Sequence, residues 1–477
     1  MAATQSPSGG VTNSRNQPFL SGAWFPVGDE LDVPECTVEG EIPRGLRGTF
    51  MQNGPNPRFE PAGRYHMFDG DGMLHAITFE DGKAGYANRW ILTRGLQAEM
   101  KQGRSLYFGL GNLSEFPDPE LVGEAGPVKN PANTHIIRHA GRYLALWEGG
   151  PPTEVTADLG TRDLFTFDGK LHGPMTAHPR LDPRTGEMFF FAYSPVAPFL
   201  RYYVADASGA LVHSVDLDIP APAMIHDFIL TEKYCVFLDS PIIFNLNFDN
   251  EPLVTWRPEN GTRLGVIPRF GGADEIRWMD VENGHIQHFW NGWLEGDRIE
   301  LSGCRVENPQ FGIDTDENLE ETSADATAGR PARYWIDLAA GTCGWEQLDD
   351  MGGDFCRIND EWNGVPTRYH YMSAFRGEND VIGHFDTVVK YDYQTGKRTS
   401  WWPGNRRIVG EAVFAPAEGA KGEDEGWLVA AVHDMADSTS ELVVLDARNV
   451  EAGPIARVKM PRRLPFGFHC NWFAPQA

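Results

Sequence analysis

Residues 176–187 read Thr-Ala-His-Pro-Arg-Leu-Asp-Pro-Arg-Thr-Gly-Glu and lead directly into the apolar run Met188–Tyr193. The second half of this stretch has the residues of a tight turn, because Pro183 fixes φ at about −65° and Gly186 accepts a positive φ. His178 therefore lies just ahead of a turn and a β-strand. A single histidine in this setting usually bonds to the backbone.

Three other histidines lie inside apolar or aromatic runs. His226 is in Met-Ile-His-Asp-Phe, His288 is in Gln-His-Phe-Trp-Asn, and His469 is in Phe-Gly-Phe-His-Cys-Asn-Trp. Burying an imidazole among such neighbours costs roughly 1 to 3 kcal/mol unless the ring finds a polar partner. A metal ion shared with His178 would be such a partner.

Composition narrows the class of protein. The chain has 477 residues, with 41 Lys plus Arg against 67 Asp plus Glu, so its net charge is −26. This charge repels phosphate backbones, and we expect no nucleic-acid partner. Only residues 1–19 and the acidic segment 314–329 are poor in apolar residues, and neither divides the chain. We therefore expect a flexible polar amino terminus, 1–19, and one single domain, 20–477.

Targeting signals and cysteine spacing point to the cytoplasm. The amino terminus has neither a basic nor an apolar region of the kind found in secretory signals. No apolar run approaches the 18 or so residues of a spanning helix. The cysteines are scattered without a paired motif, which fits reduced thiols. They are Cys36, Cys235, Cys304, Cys343, Cys356 and Cys470.

From about residue 30 onward, short β-runs alternate with turns rich in Gly, Pro, Asn and Asp. This pattern predicts an all-β sandwich, barrel or propeller, and the length favours a propeller. The four histidines are 48, 62 and 181 residues apart. Blades of about 60 residues, each with one strand near a common axis, would bring them together and give about seven blades.

The four histidine segments resemble the iron-binding segments of the carotenoid cleavage oxygenase family. Residues 48–59, Gly-Thr-Phe-Met-Gln-Asn-Gly-Pro-Asn-Pro-Arg-Phe, and 66–73, His-Met-Phe-Asp-Gly-Asp-Gly-Met, also look like signatures of that family. The resemblance implies a seven-bladed β-propeller with Fe(II) on its axis, below a dome of loops and short helices. It implies that the metal ligands are His178, His226, His288 and His469.

The same resemblance implies roles for residues around the metal. Glu148, Asp354 and Glu411 match the carboxylates that accept hydrogen bonds from the ligand histidines. Thr134 matches the position whose small side chain shields one vacant place on the iron. The family has Glu where this chain has Asp354. Because Asp is one methylene shorter, we expect its contact to be longer, water-bridged or rebuilt, and the sequence does not pair acids with histidines.

Other candidate sites have plainer interpretations. Asp-Gly-Asp-Gly at 69–72 lacks the further carboxylates of an EF-hand, so a structural turn is favoured over a calcium loop. His135 and His139 are interpreted as ordinary histidines, since Gly141 and the strand that follows argue against a helical metal pair, and the same caution covers His285 beside His288. The apolar spacing in 95–105 predicts a short dome helix.

The resemblance implies that dioxygen cleaves a C=C double bond of a lipophilic alkene into two carbonyl products, without an organic cofactor. We expect a tunnel lined by aromatic residues that belong to family motifs near the metal. These residues are Phe59, Phe68, Trp147, Phe289 and Trp472. Segments 195–200 and 241–244 are candidates for a tunnel mouth in peripheral contact with a membrane, or else for buried loops.

The substrate class rests on two positions. The stilbene-cleaving branch of the family carries a Lys just before the first carboxylate and a Tyr in an earlier Ser-Leu-Phe segment. Here Trp147 replaces the Lys, and Tyr107 is out of register. The sequence therefore predicts a carotenoid or apocarotenoid substrate, with stilbenes as the alternative. A propeller that binds apolar ligands without turnover is less favoured, because all four histidines are present.

Overall fold

The computed structural model describes residues 18–110, 114–246, 253–309, 328–376 and 384–475. The expected flexible amino terminus, 1–19, and the acidic segment, 314–329, lie almost wholly outside these ranges.

The described residues form two α-helices and a long series of short strands. The helices are α1 Arg94–Gln102 and α2 Pro119–Val122. The strands are β1 Asp32–Val33, β2 Val38–Gly40, β3 Gly48–Pro55, β4 Gly72–Glu80, β5 Lys83–Trp90, β6 His135–His139, β7 Arg142–Leu146, β8 Thr153–Val155, β9 Thr161–Leu164, β10 Arg180–Leu181, β11 Met188–Tyr193, β12 Leu200–Ala205, β13 Leu211–Leu217, β14 Phe228–Leu230, β15 Tyr234–Asp239, β16 Ile242–Phe244, β17 Val254–Trp256, β18 Thr262–Pro268, β19 Arg277–Val281, β20 His285–Glu295, β21 Arg298–Val306, β22 Arg330–Asp337, β23 Thr342–Gln347, β24 Gly353–Arg357, β25 Tyr369–Ala374, β26 Thr387–Asp392, β27 Lys397–Trp401, β28 Arg407–Pro416, β29 Gly426–Asp434, β30 Thr439–Asp446, β31 Pro454–Lys459 and β32 Cys470–Phe473.

Seven antiparallel sheets of four or five strands form the blades of a propeller, which confirms the predicted fold. A separate two-stranded sheet, β16-β17, is inserted within the fourth blade. From the axis outward, the blades are β32-β3-β4-β5-β1, β6-β7-β8-β9, β10-β11-β12-β13, β14-β15-β18-β19, β20-β21-β22-β23, β24-β25-β26-β27 and β28-β29-β30-β31-β2.

Two of the blades join the two ends of the chain. In blade 1, β32 pairs with β3, with Phe50 opposite Trp472. In blade 7, β2 pairs with β31, with Glu39 opposite Arg457. The ring is thus closed twice by hydrogen-bonded strands, which leaves no open edge between its first and last blades.

The blades pack face to face because their middle strands are apolar on both sides. In β11, every residue is buried. Successive side chains of a strand point to opposite faces. Accordingly, Phe189 and Phe191 pack in the core shared with blade 4, whereas Met188 and Phe190 pack in the core shared with blade 2. A continuous apolar run of this length is therefore the sequence signal of a strand between two other blades.

The predicted dome helix is present as α1. The Thr93 hydroxyl caps its amino end by accepting from the Leu96 N–H, and Gly103 ends it with φ 66°. Glu99, on this helix, is fully buried and forms a 2.6 Å ion pair with Lys129, which also pairs with Asp71 at 2.6 Å. This buried triad connects the helix to the Asp-Gly-Asp-Gly segment.

The Asp-Gly-Asp-Gly segment is a structural turn. Asp69 accepts hydrogen bonds from the N–H groups of His66 and Leu110. Asp71 accepts one from the N–H of Arg58 and pairs with Lys129. Both carboxylates are engaged by the protein itself, in agreement with the interpretation that this is not a calcium loop.

The blade closure provides a stability test at Gly48. This residue has φ 145°, and a Cβ atom there would lie 2.6 Å from the Phe473 carbonyl oxygen and 2.8 Å from the Trp472 ring. Gly103 also has a positive φ, of 66°, but open space around it. We expect Gly48→Ala to lower the free energy of unfolding by about 3 kcal/mol or more, from strain plus overpacking. Gly103→Ala should cost only about 1 kcal/mol.

Denaturant melts of the two variants measure this difference. If Gly48→Ala and Gly103→Ala lost the same amount of unfolding free energy, β3 and β32 would separate readily at Gly48. The closure would then not fix the distance between these strands.

Candidate metal centre

Each of the seven inner strands brings one polar side chain to the propeller axis, either from within the strand or from the residues just before it. These side chains are His469 from blade 1, His135 from blade 2, His178 from blade 3, His226 from blade 4, His288 from blade 5, Asp354 from blade 6 and Glu411 from blade 7. The long gap between His288 and His469 therefore corresponds to the two blades that contribute carboxylates.

The structure brings the four predicted ligand histidines together. One ring nitrogen from each of His178, His226, His288 and His469 lies within 4.8 Å of the others. The Nε2 atom of His226 is 2.9 Å from that of His178 and 3.2 Å from that of His288. All four rings are buried or nearly so.

Three of these rings donate to a carboxylate through the opposite nitrogen. The Nδ1 of His226 is 2.7 Å from Glu148, and the Nδ1 of His288 is 2.9 Å from Asp354. The Nδ1 of His469 is 3.1 Å from Glu411. Donation at Nδ1 fixes the tautomer that leaves a lone pair on Nε2.

The inward lone pairs test whether a metal ion fits this site. The Nε2 lone pairs of His226 and His288 face each other at 3.2 Å and repel, and protonating one of them costs desolvation in this buried place. A cation between the rings relieves both problems. Four neutral imidazoles are a donor set that suits divalent iron, copper, nickel or zinc. The residues present therefore fit a bound divalent metal.

The ionisation of the site follows from burial and charge pairing. Burial, reinforced by the neighbouring histidines, holds the pKa values of His178 and His469 well below their usual range. Burial also opposes the charge on His288, but Asp354 outweighs it and raises the pKa of His288. Although burial favours the neutral acid at Glu148, His226 lowers the pKa of that carboxyl.

Asp354 reaches His288 directly, so of the three expected alternatives the contact is neither long nor water-bridged, which leaves the rebuilt contact. The strand around it is irregular: the pairing of β24 with β25 shifts between Asp354 and Arg357. Phe355 within this bulge has φ 54°. Bulges redirect side chains, and this one accompanies the direct 2.9 Å contact of the shorter acid.

Two further residues support the carboxylates, and sequence reasoning missed both. Tyr193 lies against Glu148, where its hydroxyl helps to lower the pKa of that carboxyl. Arg357 is 3.8 Å from Glu411, to which the Cys470 N–H also donates. Tyr193 ends the apolar strand β11, where its ring looks like one more core residue, so only the fold shows that its hydroxyl meets Glu148.

Thr134 lies beside the centre, since its carbonyl accepts a 3.2 Å hydrogen bond from the His469 N–H.

The three histidines interpreted as ordinary have partners in the protein. His135 contacts the Ala177 carbonyl at 2.8 Å, and His139 contacts the Gly186 carbonyl at 3.0 Å. His285 bonds to Ser240 and Gln287. Burial lowers the pKa of His135 to about 3.

The five predicted tunnel residues do not share one cavity. Phe59, Phe68 and Trp147 line a cavity next to α1, here called the dome cavity. Its other walls include Phe108, Leu110 and Phe116. Trp147 directly precedes Glu148, so this cavity approaches the histidines from the side of the Glu148 to His226 contact.

Phe289 and Trp472 instead line a second cavity of about 350 Å³, here called the axial cavity. Phe289 belongs to the core between blades, and Trp472 packs against Phe79. Their places next to His288 and His469 in the sequence suggested the tunnel. Phe289 follows His288 and Trp472 follows His469 along inner strands that lead away from the dome cavity. Only the tertiary structure shows this direction.

The segments predicted to form a tunnel mouth are partly exposed. Ile242 is buried, and Phe244 stacks on Tyr193 at 5.7 Å. Val196 is 64% exposed and Leu246 is 52% exposed. Membrane contact at these segments stays a prediction. Among the described residues, none of the helices has the length and apolarity needed to cross a bilayer.

Comparison with known proteins gives consistent matches. The profile of the retinal pigment epithelial membrane protein family matches residues 24–474. A carotenoid 9,10(9',10')-cleavage dioxygenase of Arabidopsis thaliana is 34% identical over 485 residues, covering 94% of this chain and 89% of that protein. The crystal structure of Pseudomonas brassicacearum lignostilbene dioxygenase matches with a TM-score of 0.89 and 30% identity, covering 96% and 99% of the two chains. A Synechocystis apocarotenoid oxygenase variant matches with a TM-score of 0.84 and 29% identity, covering 95% and 98%.

The carboxylate contacts predict graded losses of metal affinity. We expect Glu148→Gln, Asp354→Asn and Glu411→Gln each to weaken metal binding by about 10 to 100-fold, because each removes the charge that fixes one imidazole. Tyr193→Phe removes only one donor to Glu148 and should cost about tenfold, the equivalent of ~1.4 kcal/mol. Competition between the protein and a chelator for Co²⁺ measures these affinities.

Tyr202→Phe is the matched control for Tyr193→Phe. Tyr202 is equally buried, and its hydroxyl donates to the Arg269 carbonyl, away from the histidines. A parent-like affinity in Asp354→Asn would contradict the direct role of Asp354.

The raised pKa of His288 predicts a pH-dependent affinity. A proton competes with the metal ion for the Nε2 of His288. The metal affinity is therefore independent of this proton above the pKa of His288, and it falls by up to about tenfold per pH unit below that pKa. His178 and His469, with lowered pKa values, stay neutral through that window. In Asp354→Asn the carboxylate that raises this pKa is absent, and the decline should begin at lower pH. Co²⁺ titrations from about pH 8 down to about pH 5.5 test this; the same onset in both proteins would contradict it.

Proposed function

This chain belongs to the family of the retinal pigment epithelial membrane protein and the carotenoid cleavage dioxygenases, and on that basis we propose that it is an Fe(II)-dependent dioxygenase that cleaves a C=C bond of a carotenoid or apocarotenoid. The convergence of four imidazole nitrogens within 4.8 Å carries the proposal. His178, His226, His288 and His469 would hold the ion. Ferrous iron bound there would supply the activation of dioxygen.

The remaining residues prepare this centre. Glu148, Asp354 and Glu411 keep three imidazoles in one tautomer and orientation, so that their lone pairs need no rearrangement. The Thr134 carbonyl accepts from the His469 N–H, and the Thr134 side chain would limit the space around the ion. The products follow from the balance of the reaction: one alkene and one dioxygen give two carbonyl compounds, with one oxygen atom in each.

The dome cavity supports a long apolar substrate. Its rings, Phe59, Phe68, Phe108, Phe116 and Trp147, provide the apolar wall that a polyene requires. A polyene has no charge to solvate, and burying it among these rings is favoured by about 25 cal/mol per Å² of apolar surface.

The polar groups of the dome cavity are engaged by the protein. Lys129 reaches the cavity wall, but Asp71 and Glu99 neutralise it and raise its pKa despite burial. The Tyr107 hydroxyl donates to the Gly126 carbonyl at 3.1 Å. A phenolate would therefore meet a cation already shared by two carboxylates, which weakens the electrostatic support for phenol-activated cleavage.

The second candidate substrate is a stilbene. The structural match to a lignostilbene dioxygenase favours it, as does the presence of Lys129 and Tyr107 in one cavity. The unfavourable feature is the charge balance around Lys129.

Substrate competition under isotopically labelled dioxygen tests the proposed function. We expect the iron-loaded protein to convert an apocarotenal into two aldehydes, each carrying label, and to convert 4-hydroxystilbene more slowly. Stilbene cleavage without any polyene product would overturn the substrate assignment. Label in only one fragment, under conditions that prevent exchange with water, would overturn the dioxygenase stoichiometry.

The iron assignment has its own control. Anaerobically purified protein should hold about one iron per chain, and His469→Ala should lose iron and activity together. His139→Ala removes another buried histidine, one that bonds to the Gly186 carbonyl, and should keep its iron. Full iron in His469→Ala would contradict the ligand assignment.

A further inference from the structure

The axial cavity reaches the metal centre from the side away from Trp147. Its lining includes His178, His288 and His469, together with Asn471 and Glu411. The lining of the dome cavity contains none of the four histidines. Of these two cavities, only the axial cavity therefore exposes the ligand rings themselves.

The charges along the axial cavity favour cations. Five carboxylates line it against three guanidinium groups, a formal balance of −2, which becomes −1 when Asp182 is set aside because it pairs with Arg184 and Arg269 outside the lining. The carboxylates are Asp182, Asp227, Asp360, Glu361 and Glu411, and the guanidinium groups are Arg138, Arg180 and Arg357. The whole chain adds to this effect through its net charge of −26.

The cavity also has a gradient of exposure. Asp360 and Glu361 are exposed at its mouth, and Gly186 lies there too. His178 and His469, at its inner end, are 9% and 4% exposed. Between them, Arg180 pairs with Asp227 at 2.5 Å, and Arg357 pairs with Asp360 at 3.0 Å. A polar, charged wall thus continues from solvent to the imidazoles.

A divalent cation needs such a wall. Removing water from an ion costs several kcal/mol or more unless polar groups replace it, and the charged side chains of the axial cavity continue to the imidazoles, whereas none of the four imidazoles lines the dome cavity. We propose that the axial cavity is the route by which a hydrated divalent metal ion reaches the four histidines, while the dome cavity admits the apolar substrate. This inference rests on the proposed metal centre.

Glu361 is the residue on which to test the route. It is exposed at the mouth, and among the described residues it forms no ion pair, so changing it leaves the pairs of Arg357 and Arg180 intact. Its backbone N–H donates to the Asn359 side chain, which any substitution other than Pro preserves. Glu259 is also exposed but lines neither cavity. Glu259→Lys is thus a control with the same change in net charge.

The experiment is stopped-flow uptake of Co²⁺ by the full-length apoprotein, followed by the visible absorption of the ion in a nitrogen ligand field. At low ionic strength, we expect Glu361→Lys to slow Co²⁺ uptake by about three to tenfold relative to the parent protein, because the mouth attracts the ion less strongly. The uptake rate of Glu361→Gln should lie between those of the parent protein and Glu361→Lys. At about 0.5 M salt this difference should disappear, since the Debye length shrinks to about 4 Å. Glu361→Trp should slow uptake at every ionic strength by narrowing the mouth.

The endpoint separates the two proposals. All variants keep the four histidines, so each should reach about one Co²⁺ per chain. No bound Co²⁺ in the parent protein would overturn the metal centre. Stoichiometric binding at a rate unaffected by the three Glu361 variants would overturn the route alone. Equal slowing by Glu259→Lys would also overturn it, because the effect would then belong to net charge and not to the cavity mouth.

Discussion

Four inward-facing imidazole nitrogens, 2.9 to 3.2 Å apart where they are nearest and three of them with the lone pair fixed toward the centre, are the arrangement on which the rest of the structure depends. Left alone, these lone pairs repel, and the rings would turn away or take up protons. Carboxylates behind three of the rings prevent the first outcome by holding the proton on Nδ1 and fixing the ring orientation, and burial opposes the second at His178 and His469. The protein therefore maintains an unfavourable local geometry that becomes favourable when a cation binds.

The propeller makes this arrangement attainable from residues far apart in the chain. Seven inner strands converge on one axis, and each contributes a single polar side chain near the same level. Four blades supply the imidazoles, two supply Asp354 and Glu411, and one supplies His135. Because blades pack through apolar faces on both sides, as in β11, their positions around the axis are fixed by dense cores. The double closure through β32 and β2 keeps the ring from opening.

The two cavities differ in what they can admit. The dome cavity has aromatic walls, and its lysine is neutralised by Asp71 and Glu99. The axial cavity is lined by paired charges and leads to the rings themselves. An oxygenase acting on an apolar substrate must handle a hydrated ion and a water-insoluble molecule at one centre. Separate approaches on opposite sides of that centre meet these conflicting solvation needs.

Much of this molecule was determined by sequence alone. The short β-runs and the blade-length spacing of the histidines predicted a seven-bladed propeller, because apolar strand segments and turn residues act locally. The apolar settings of His226, His288 and His469 singled them out, since each imidazole needed a partner, and His178 was added as a fourth ligand of a shared metal. The family resemblance pointed to Glu148, Asp354 and Glu411 as the carboxylates around them.

Only the tertiary structure decided which acid meets which histidine, that Asp354 reaches His288 directly from a bulged strand, and that Tyr193 supports Glu148. It also separated Phe289 and Trp472 from the dome cavity, although they adjoin ligand histidines in the sequence. These outcomes depend on side-chain directions and on distances between different blades. Such quantities arise when the ring closes, and no local pattern of residues encodes them.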